Sequence, residues 1–316
     1  MVSYIIRRTL MAIPLLIGIT IISFAIMKAA PGGPASMLMD PTMKPEDKIK
    51  FEEKYGLNDP IHIQYFKWLG SMAKGDFGTS LLRQGVPVSE MIMNRLPNTL
   101  LLMITSTFLA IIIAIPFGII SAMRPYSPLD YTTTVGSFLG VAIPNFWFGL
   151  MLIMFLSVKL GWFPAGGVAT LNAPFSIWDR IHHLILPAFV LATADMAALT
   201  RYTRSSMIDV LKQDYIRTAK SKGFKERTVV MKHGLRNGLI PIITIFGLML
   251  PSFIGGAAIT EKVFSWPGIG SLFIDSAFQR DYPVIMALTV ITGALVVIGN
   301  LLADILYAIF DPRIEY

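Results

Sequence analysis

The side chains in this sequence able to do chemistry are few, and their spacing limits the chemistry. His182 and His183 are adjacent, and neighbouring helical positions point about 100° apart, so the two rings do not converge on one metal. They read as interfacial polar residues. No H-E-x-x-H or G-x-S-x-G occurs, which removes the common zinc and serine-nucleophile arrangements. Gly70 and Gly75 have the spacing of a phosphate-binding loop, but Asp76 and Phe77 follow, so no lysine is placed to reach a phosphate. Cysteine is absent, which excludes disulfides and thiolate metal sites. The expectation is a chain that is not an enzyme, with no catalytic, metal or cofactor site of its own. What remains is charge. Between Arg201 and Gly238 ten Lys and Arg face three acids, Asp209, Asp214 and Glu226, a surplus that equals the formal net charge of +7 for all 316 residues.

The elements that must position this loop are long and apolar. The chain is 54% hydrophobic and 15% charged, with mean hydropathy +0.61, where a soluble domain carries about 25% charged residues. A helix needs about 20 apolar residues to cross a bilayer. Six stretches qualify: Thr9–Ala30, Pro97–Ala122, Thr132–Leu160, Leu184–Thr200, Leu239–Ile259 and Pro283–Phe310. The fourth is the shortest and carries Asp195. The first exceeds the 7–15 residues usual for a signal-peptide core, so it reads as a retained span. The expected fold is an all-α membrane protein with six transmembrane helices. The pattern divides it into residues 1–96 (first helix plus an extracytoplasmic cap), 97–310 (a five-helix core containing the loop 201–238) and a tail, 311–316.

Basic residues set the direction. Arg7, Arg8, Arg124, the ten of the loop and Arg313 fall on one side, against Arg180, Lys262 and Arg280 in the opposite short loops. The segment 31–96 balances eight basic residues with eight acids, and a segment of that length crosses largely regardless of charge. Both termini and the basic loop are therefore expected in the cytoplasm. The alternation of aromatics with turns in "YGLNDPIHIQYFKWLGSMAKGDFGTSLL" predicts an ordered extracytoplasmic segment between helices 1 and 2. The basic stretches adjoin membrane-length segments and lack interleaved aromatics, so they do not read as a nucleic-acid surface.

Within the loop, Ile208, Leu211, Tyr215 and Ala219 are spaced 3, 4 and 4, one apolar stripe on a helix. Gly223 is free to adopt positive φ and stop that helix, and "FKERTVVMKHGLRNG" begins a second. Two short amphipathic helices with a sharp corner make a projecting knob, suited to a groove in another protein. Anionic membrane lipid is the alternative partner, attracting about 1 kcal/mol per Lys or Arg near the surface. Asp195 is expected to pair with Arg201 or Arg204, six and nine residues on; the alternative is a transient partnership with a peptide's amino terminus. Asn145, following Pro144 in "IPNFWFG", marks a kink that lines a path or serves packing alone. "SWPGIGSLF" predicts a turn and elbow on the outer side, with Trp266 at headgroup level.

The loop resembles the EAA loop of ABC importer permeases: E-A-A, three residues, Gly, nine residues, then I-x-L-P. Alignment on Gly223 places Arg217, Thr218 and Ala219 at the E-A-A positions and His233, Leu235 and Arg236 at I, L and P. Of these Ala219, Gly223 and Leu235 match the general pattern. Because Arg217 replaces the glutamate, a glutamate-dependent contact with the ATPase does not carry over. The variant "YIRTAKSKGF…KHGLRNGLIP", with Tyr215 and Phe224, is similar to the oligopeptide and dipeptide permeases. "KAAPGGP", "EKVFSWPGIGSLF" and "LLADILYAIFDPRIEY" point the same way. The resemblance runs along nearly the whole chain and is strongest to the first permease subunit of App-type oligopeptide importers.

That resemblance implies a type I ABC importer permease in the bacterial cell membrane. Implied partners are a second homologous permease, two cytoplasmic ATPases that use ATP and Mg, an extracytoplasmic peptide-binding protein and the peptide itself. Nickel chelates or another small solute are the alternative cargo within the same fold. An autonomous secondary transporter would instead carry intramembrane acid or histidine relays and repeats, and the spans show no such pattern. A membrane scaffold that moves nothing is the remaining class.

Overall fold

The computed structural model describes residues 2–29, 58–83, 85–238 and 257–310, and among these the chain is helical apart from a single antiparallel bridge, Thr79 to Pro87. Helix α1 is Val2–Ala29, α2 is Ile61–Ala73, α3 is Val88–Met123 and α4 is Pro128–Ala142. Helix α5, Asn145–Leu152, runs on as a π-helical stretch, Ile153–Lys159, and α6 is Ile177–Leu211. Among the described residues four helices are long and apolar enough to cross a membrane: residues 7–29 of α1, α3, α6 and residues 282–301 of the last helix. The α4–α5 pair makes a fifth if counted as one broken span. The expected fifth span, Leu239–Ile259, lies almost wholly outside the described residues, as do residues 31–57 of the expected cap and the tail 311–316.

Helices α3 and α6 form the central pair, and glycine permits their close crossing. A Cβ on Gly118 would sit 2.5 Å from Thr203 Cβ and 2.9 Å from the Thr200 carbonyl oxygen. Small-residue contacts of this kind drive helix association where lipid removes the hydrophobic incentive. Alanines continue the seam, with Ala110 and Ala114 packed on Ala192 and Leu199. Ser176 begins α6 by accepting from the Asp179 N–H. The 35 residues that follow extend about 52 Å at 1.5 Å per residue, well beyond a hydrocarbon core of about 30 Å. The stretch Leu184–Thr200 is thus the middle of a much longer helix, whose end projects from the apolar layer.

The single kinked span expected over Thr132–Leu160 is instead two helices meeting at 103°. Proline disfavours helical backbone in the residue before it. Ile143, before Pro144, accordingly has φ −83 and ψ 122, and α4 ends at Ala142. Helix α5 then restarts from Pro144.

Beyond the residues not described, α10 is Ala258–Val263, α11 is Ile269–Gln279 and α12 is Tyr282–Phe310. (Helices α7 to α9 belong to the basic loop, below.) Met72 of α2 and Val88, Met91 and Ile92 of α3 pack on Ile269, Leu272, Val284 and Leu288. Ser80 Oγ and the Leu81 N–H both donate to Asp281, at 2.5 and 3.1 Å. The described part of the segment between α1 and α3 is thereby tied to the α11–α12 junction.

The elbow "SWPGIGSLF" turns inward. Trp266, expected at headgroup level, is 1% exposed and packs on Leu102, Leu184 and Ala188, its Nε1–H donating to the Asn98 carbonyl at 2.9 Å. The indole finds its polar partner on α3, so burial leaves no donor unpaired. Glu261 holds the turn: wholly buried, it accepts from Thr99 Oγ1 and the Ser271 N–H, both at 2.8 Å. A carboxylate on the first N–H groups of α11 satisfies donors that have no partner within the helix.

Candidate functional site

The basic loop is a compact return on the end of α6. After Leu211 the chain turns at Lys212 and Gln213, and α7, Asp214–Ser221, begins. Gly223 follows with φ +79, the corner foreseen for it. The returning limb is α8, Glu226–Thr228, a π-helical stretch, Val229–Gly234, and α9, Leu235–Gly238.

The stripe divides where the helix divides. Ile208 and Leu211 lie on α6, but α7 starts a new phase, so Ile216 and Ala219 are buried while Tyr215 is 40% exposed. Ile216 and Ala219 pack on Val229 beside Leu211. Val230 and Leu235 seat the returning limb on Met207 of α6 and on Ile119 and Ala122 of α3. Gly234 and Gly238 both face the Met207 side chain, and a Cβ on Gly238 would overlap its sulfur. Ser206 Oγ closes the contact by donating to the Gly238 carbonyl at 2.9 Å. The knob therefore rests on two long helices at once.

Its outer face mixes cations with apolar groups. Arg217, Thr218, Lys220 and Lys222 are exposed, as are Tyr215, Phe224 and Met231. The Phe224 and His233 rings lie 5.7 Å apart across the corner. Arg217 reaches Asp214 at 3.5 Å with both side chains in solvent, a contact that such exposure leaves with little value. Arg236 lies on α9, and its side chain falls outside the described residues. Apart from Arg236, the residues singled out in the sequence fall on one knob, with Ala219 and Leu235 turned into its base and the others around its surface and corner.

Asp195 is half-buried and has no ion pair among the described residues. The expected partner Arg204 is committed elsewhere: its Nε and terminal nitrogen donate to the two oxygens of Asp130 at 2.5 and 2.7 Å. Arg201 is exposed and stands 5.7 Å from the Tyr202 ring. Arg204 lies nine residues beyond Asp195, two and a half turns, and its fork meets α4 rather than its own helix. Asn145 is the first residue of α5, beyond the 103° break. A mostly apolar groove of about 370 Å³ among α3, α4 and α6 has Ile113, Phe117 and Met196 beside the hydroxyls of Thr132, Ser137 and Thr193, and an adjoining cavity of about 210 Å³ reaches Arg201 and Arg204. Neither Asn145 nor Asp195 lines these two adjoining cavities on α4 and α6.

His182 Nε2 lies 2.6 Å from the Trp162 carbonyl and His183 Nδ1 2.8 Å from the Asp179 carbonyl. Sequence reasoning missed Asp130, Glu261 and Asp281. For Asp130 a signal exists: "SPLD" reads as an N-cap serine, a first-turn proline and an acid at the third position. That pattern explains the hydrogen bond from the Asp130 N–H to Ser127, but not the reach of its carboxylate to α6.

Residues 114–316 match the family model described as the binding-protein-dependent transport system inner membrane component, and residues 1–103 match the model of its N-terminal region. The chain belongs to this permease family. It is 71% identical over its full length to the oligopeptide transport system permease protein AppB of Bacillus subtilis, all of which it spans. It is 40% identical, again over its whole length, to the dipeptide transport system permease protein DppB of Alkalihalophilus pseudofirmus. It is 37% identical over the full length of both chains to the glutathione transport system permease protein GsiC of Salmonella typhi. The family is one of multi-pass membrane proteins, in accord with the apolar helices described above. Within this permease the knob lies at the end of the longest described helices and is continuous with α6.

Proposed function

We propose that this permease is the membrane subunit of an ATP-driven peptide importer and that the knob 214–238 is where it receives the work of its ATPases. The observation that carries the assignment is the seating of the knob. It packs through Val230 and Leu235 onto Met207 of α6 and onto Ile119 and Ala122 of α3, so a push on its exposed face reaches two spans together. Phe224, Met231 and Tyr215 among the lysines give that face the apolar-and-basic character of a protein-docking surface. The names of the similar permeases, for oligopeptides, dipeptides and glutathione, favour a peptide cargo over a nickel chelate.

The complex would hold a second homologous permease, two cytoplasmic ATPases and an extracytoplasmic peptide-binding protein, with ATP and Mg bound by the ATPases alone. The knob and both termini face the cytoplasm, supported by the surplus of seven positive charges in residues 201–238. Asp195, half-buried and without an ion-pair partner among the described residues, remains a candidate for the translocation path.

The test is reconstitution with these partners in lipid vesicles. ATP-dependent accumulation of a labelled oligopeptide, lost when the binding protein or either ATPase is omitted, is the expected result. Accumulation that needs neither ATPase nor ATP would overturn the assignment.

A further inference from the structure

Asp130 is 3% exposed, yet it stands at the head of a helix that follows a short surface turn. Its carboxylate is met from three elements. Ser121 of α3 donates its hydroxyl, the Tyr126 N–H donates at 2.8 Å from the turn, and Arg204 of α6 supplies both arms of its guanidinium. The bidentate arrangement fixes direction as well as distance. The same ends of α3 and α6 carry the knob, through Ile119 and Ala122 on one and Met207 on the other. The Asp130–Arg204 pair thus joins α4 to the platform on which the knob is seated.

A second contact holds α4 to α6 farther along. Gly140 is buried against α6, and a Cβ placed on it would lie 3.3 Å from both the Ala197 Cβ and the Thr193 carbonyl oxygen. With Asp130 beside Arg204 and Gly140 beside Ala197, the two helices run antiparallel and touch at both ends of α4. The groove of about 370 Å³ runs along this stretch of α4 and α6, from the Gly140 contact, which lines it, toward Asp130, with Ile113 and Phe117 of α3 also in its wall.

We infer that Asp130 and Arg204 are positioning residues that clasp α4 to α6, so that displacement of the knob carries one wall of this groove with it. The inference rests on the reading of the knob as the ATPase-coupling element. Without the clasp, the knob and α6 would move while α4 lagged. Hydrolysis would continue, and solute moved per ATP would fall.

The chain lacks cysteine, which allows a covalent substitute for the clasp. Gly140→Cys with Ala197→Cys places two Cβ atoms close to the 3.5–4.5 Å typical of a disulfide. Five permeases are compared in the reconstituted complex: wild type, Asp130→Asn, Arg204→Lys, the cysteine pair, and the cysteine pair with Asp130→Asn. Each is read as labelled peptide accumulated per ATP hydrolysed, normalised to assembled complex, under oxidising and reducing conditions. Asp130→Asn should lower that ratio at least fivefold while ATPase copurification is kept, and Arg204→Lys should lower it less. Oxidation should leave the cysteine pair at the ratio of its own reduced form and raise the Asp130→Asn background to that same ratio, with reduction reversing the rescue.

A merely structural ion pair would reduce the amount of assembled complex and leave the ratio unchanged, which would overturn the inference. Loss of transport on oxidising the cysteine pair in the wild-type background would overturn it too, since α4 and α6 would then have to slide past one another. If Asp130→Asn fails to assemble, Asp130→Leu with Arg204→Met removes both charges together, and a wild-type ratio in that variant refutes the clasp. A wild-type complex without ATP-driven peptide uptake would remove the reading beneath it and the clasp with it.

Discussion

Glu261 shows how one side chain sets a whole segment. Burial pushes its carboxyl above the ordinary value of 4.5, against the opposing effect of hydrogen bonds from Ser271, Thr99 and Gly270. The folded protein therefore holds this proton more tightly than the unfolded chain does. The stabilisation from this group is complete below the ordinary glutamate pKa and is lost as pH rises through the raised folded value. Glu261→Gln keeps the shape but gives an N–H₂ to a place that needs two acceptors, so one donor is left unmatched. The expected loss is about 1.5–3 kcal/mol, the usual worth of a hydrogen bond to a charged group. Thermal melts of detergent-solubilised protein should show the wild type losing ground to the glutamine variant from about pH 4.5 upward. A wild-type advantage that grows over the same window would mean that the hydrogen bonds outweigh burial.

The element on which the proposed coupling depends most is the α7–α8 corner. Gly223 has φ +79, and nothing lies within 4 Å of where its Cβ would sit, so a side chain there meets open space but forbidden backbone. A β-branched residue at such a φ costs about 1–3 kcal/mol. Gly223→Val should move α7 away from Val229, whereas Gly223→Asn, which tolerates the left-handed region, should keep the corner. The expected result in the reconstituted complex is that valine sharply reduces the stimulation of ATP hydrolysis by peptide-loaded binding protein and asparagine preserves most of it. Charge reversal at Lys220 and Lys222 should do less, because exposed pairs are worth about 0–1 kcal/mol. Full stimulation with valine in place would leave lipid attraction as the better account of the charge.

At the scale of the whole molecule, direction across the membrane decides which partners the knob can meet, and the absence of cysteine makes that direction measurable. Ser71 on α2 and Ser221 at the end of α7 offer two positions that the charge asymmetry is expected to place on opposite sides. Ser221 is exposed, and Ser71 lies on the described part of the segment expected outside. In intact cells an impermeant thiol reagent should label Ser71→Cys and should reach Ser221→Cys only after lysis. Labelling of Ser221→Cys from outside would reverse the orientation and remove the knob from the reach of cytoplasmic ATPases.

Hydropathy alone determined the helical membrane class and the central positions of four spans, because about 20 consecutive apolar residues have few other stable uses. Gly223 was also legible, since a glycine after an apolar stripe is a local signal with a local cause. The phase of the stripe was not: it was read through a helix end at Leu211 that the sequence does not mark, and so pointed to Tyr215 where Ile216 is buried. Asp195 and Arg204 shared a helix and invited pairing by proximity in sequence. Yet Arg204 lies beside Asp130, 74 residues away, because α4 folds back onto α6. Trp266 likewise met Asn98 across 168 residues, and its indole is buried between helices. Contacts made within a few residues follow from local backbone preference and can be read from the chain. Contacts between helices depend on which faces meet, and only packing chooses those.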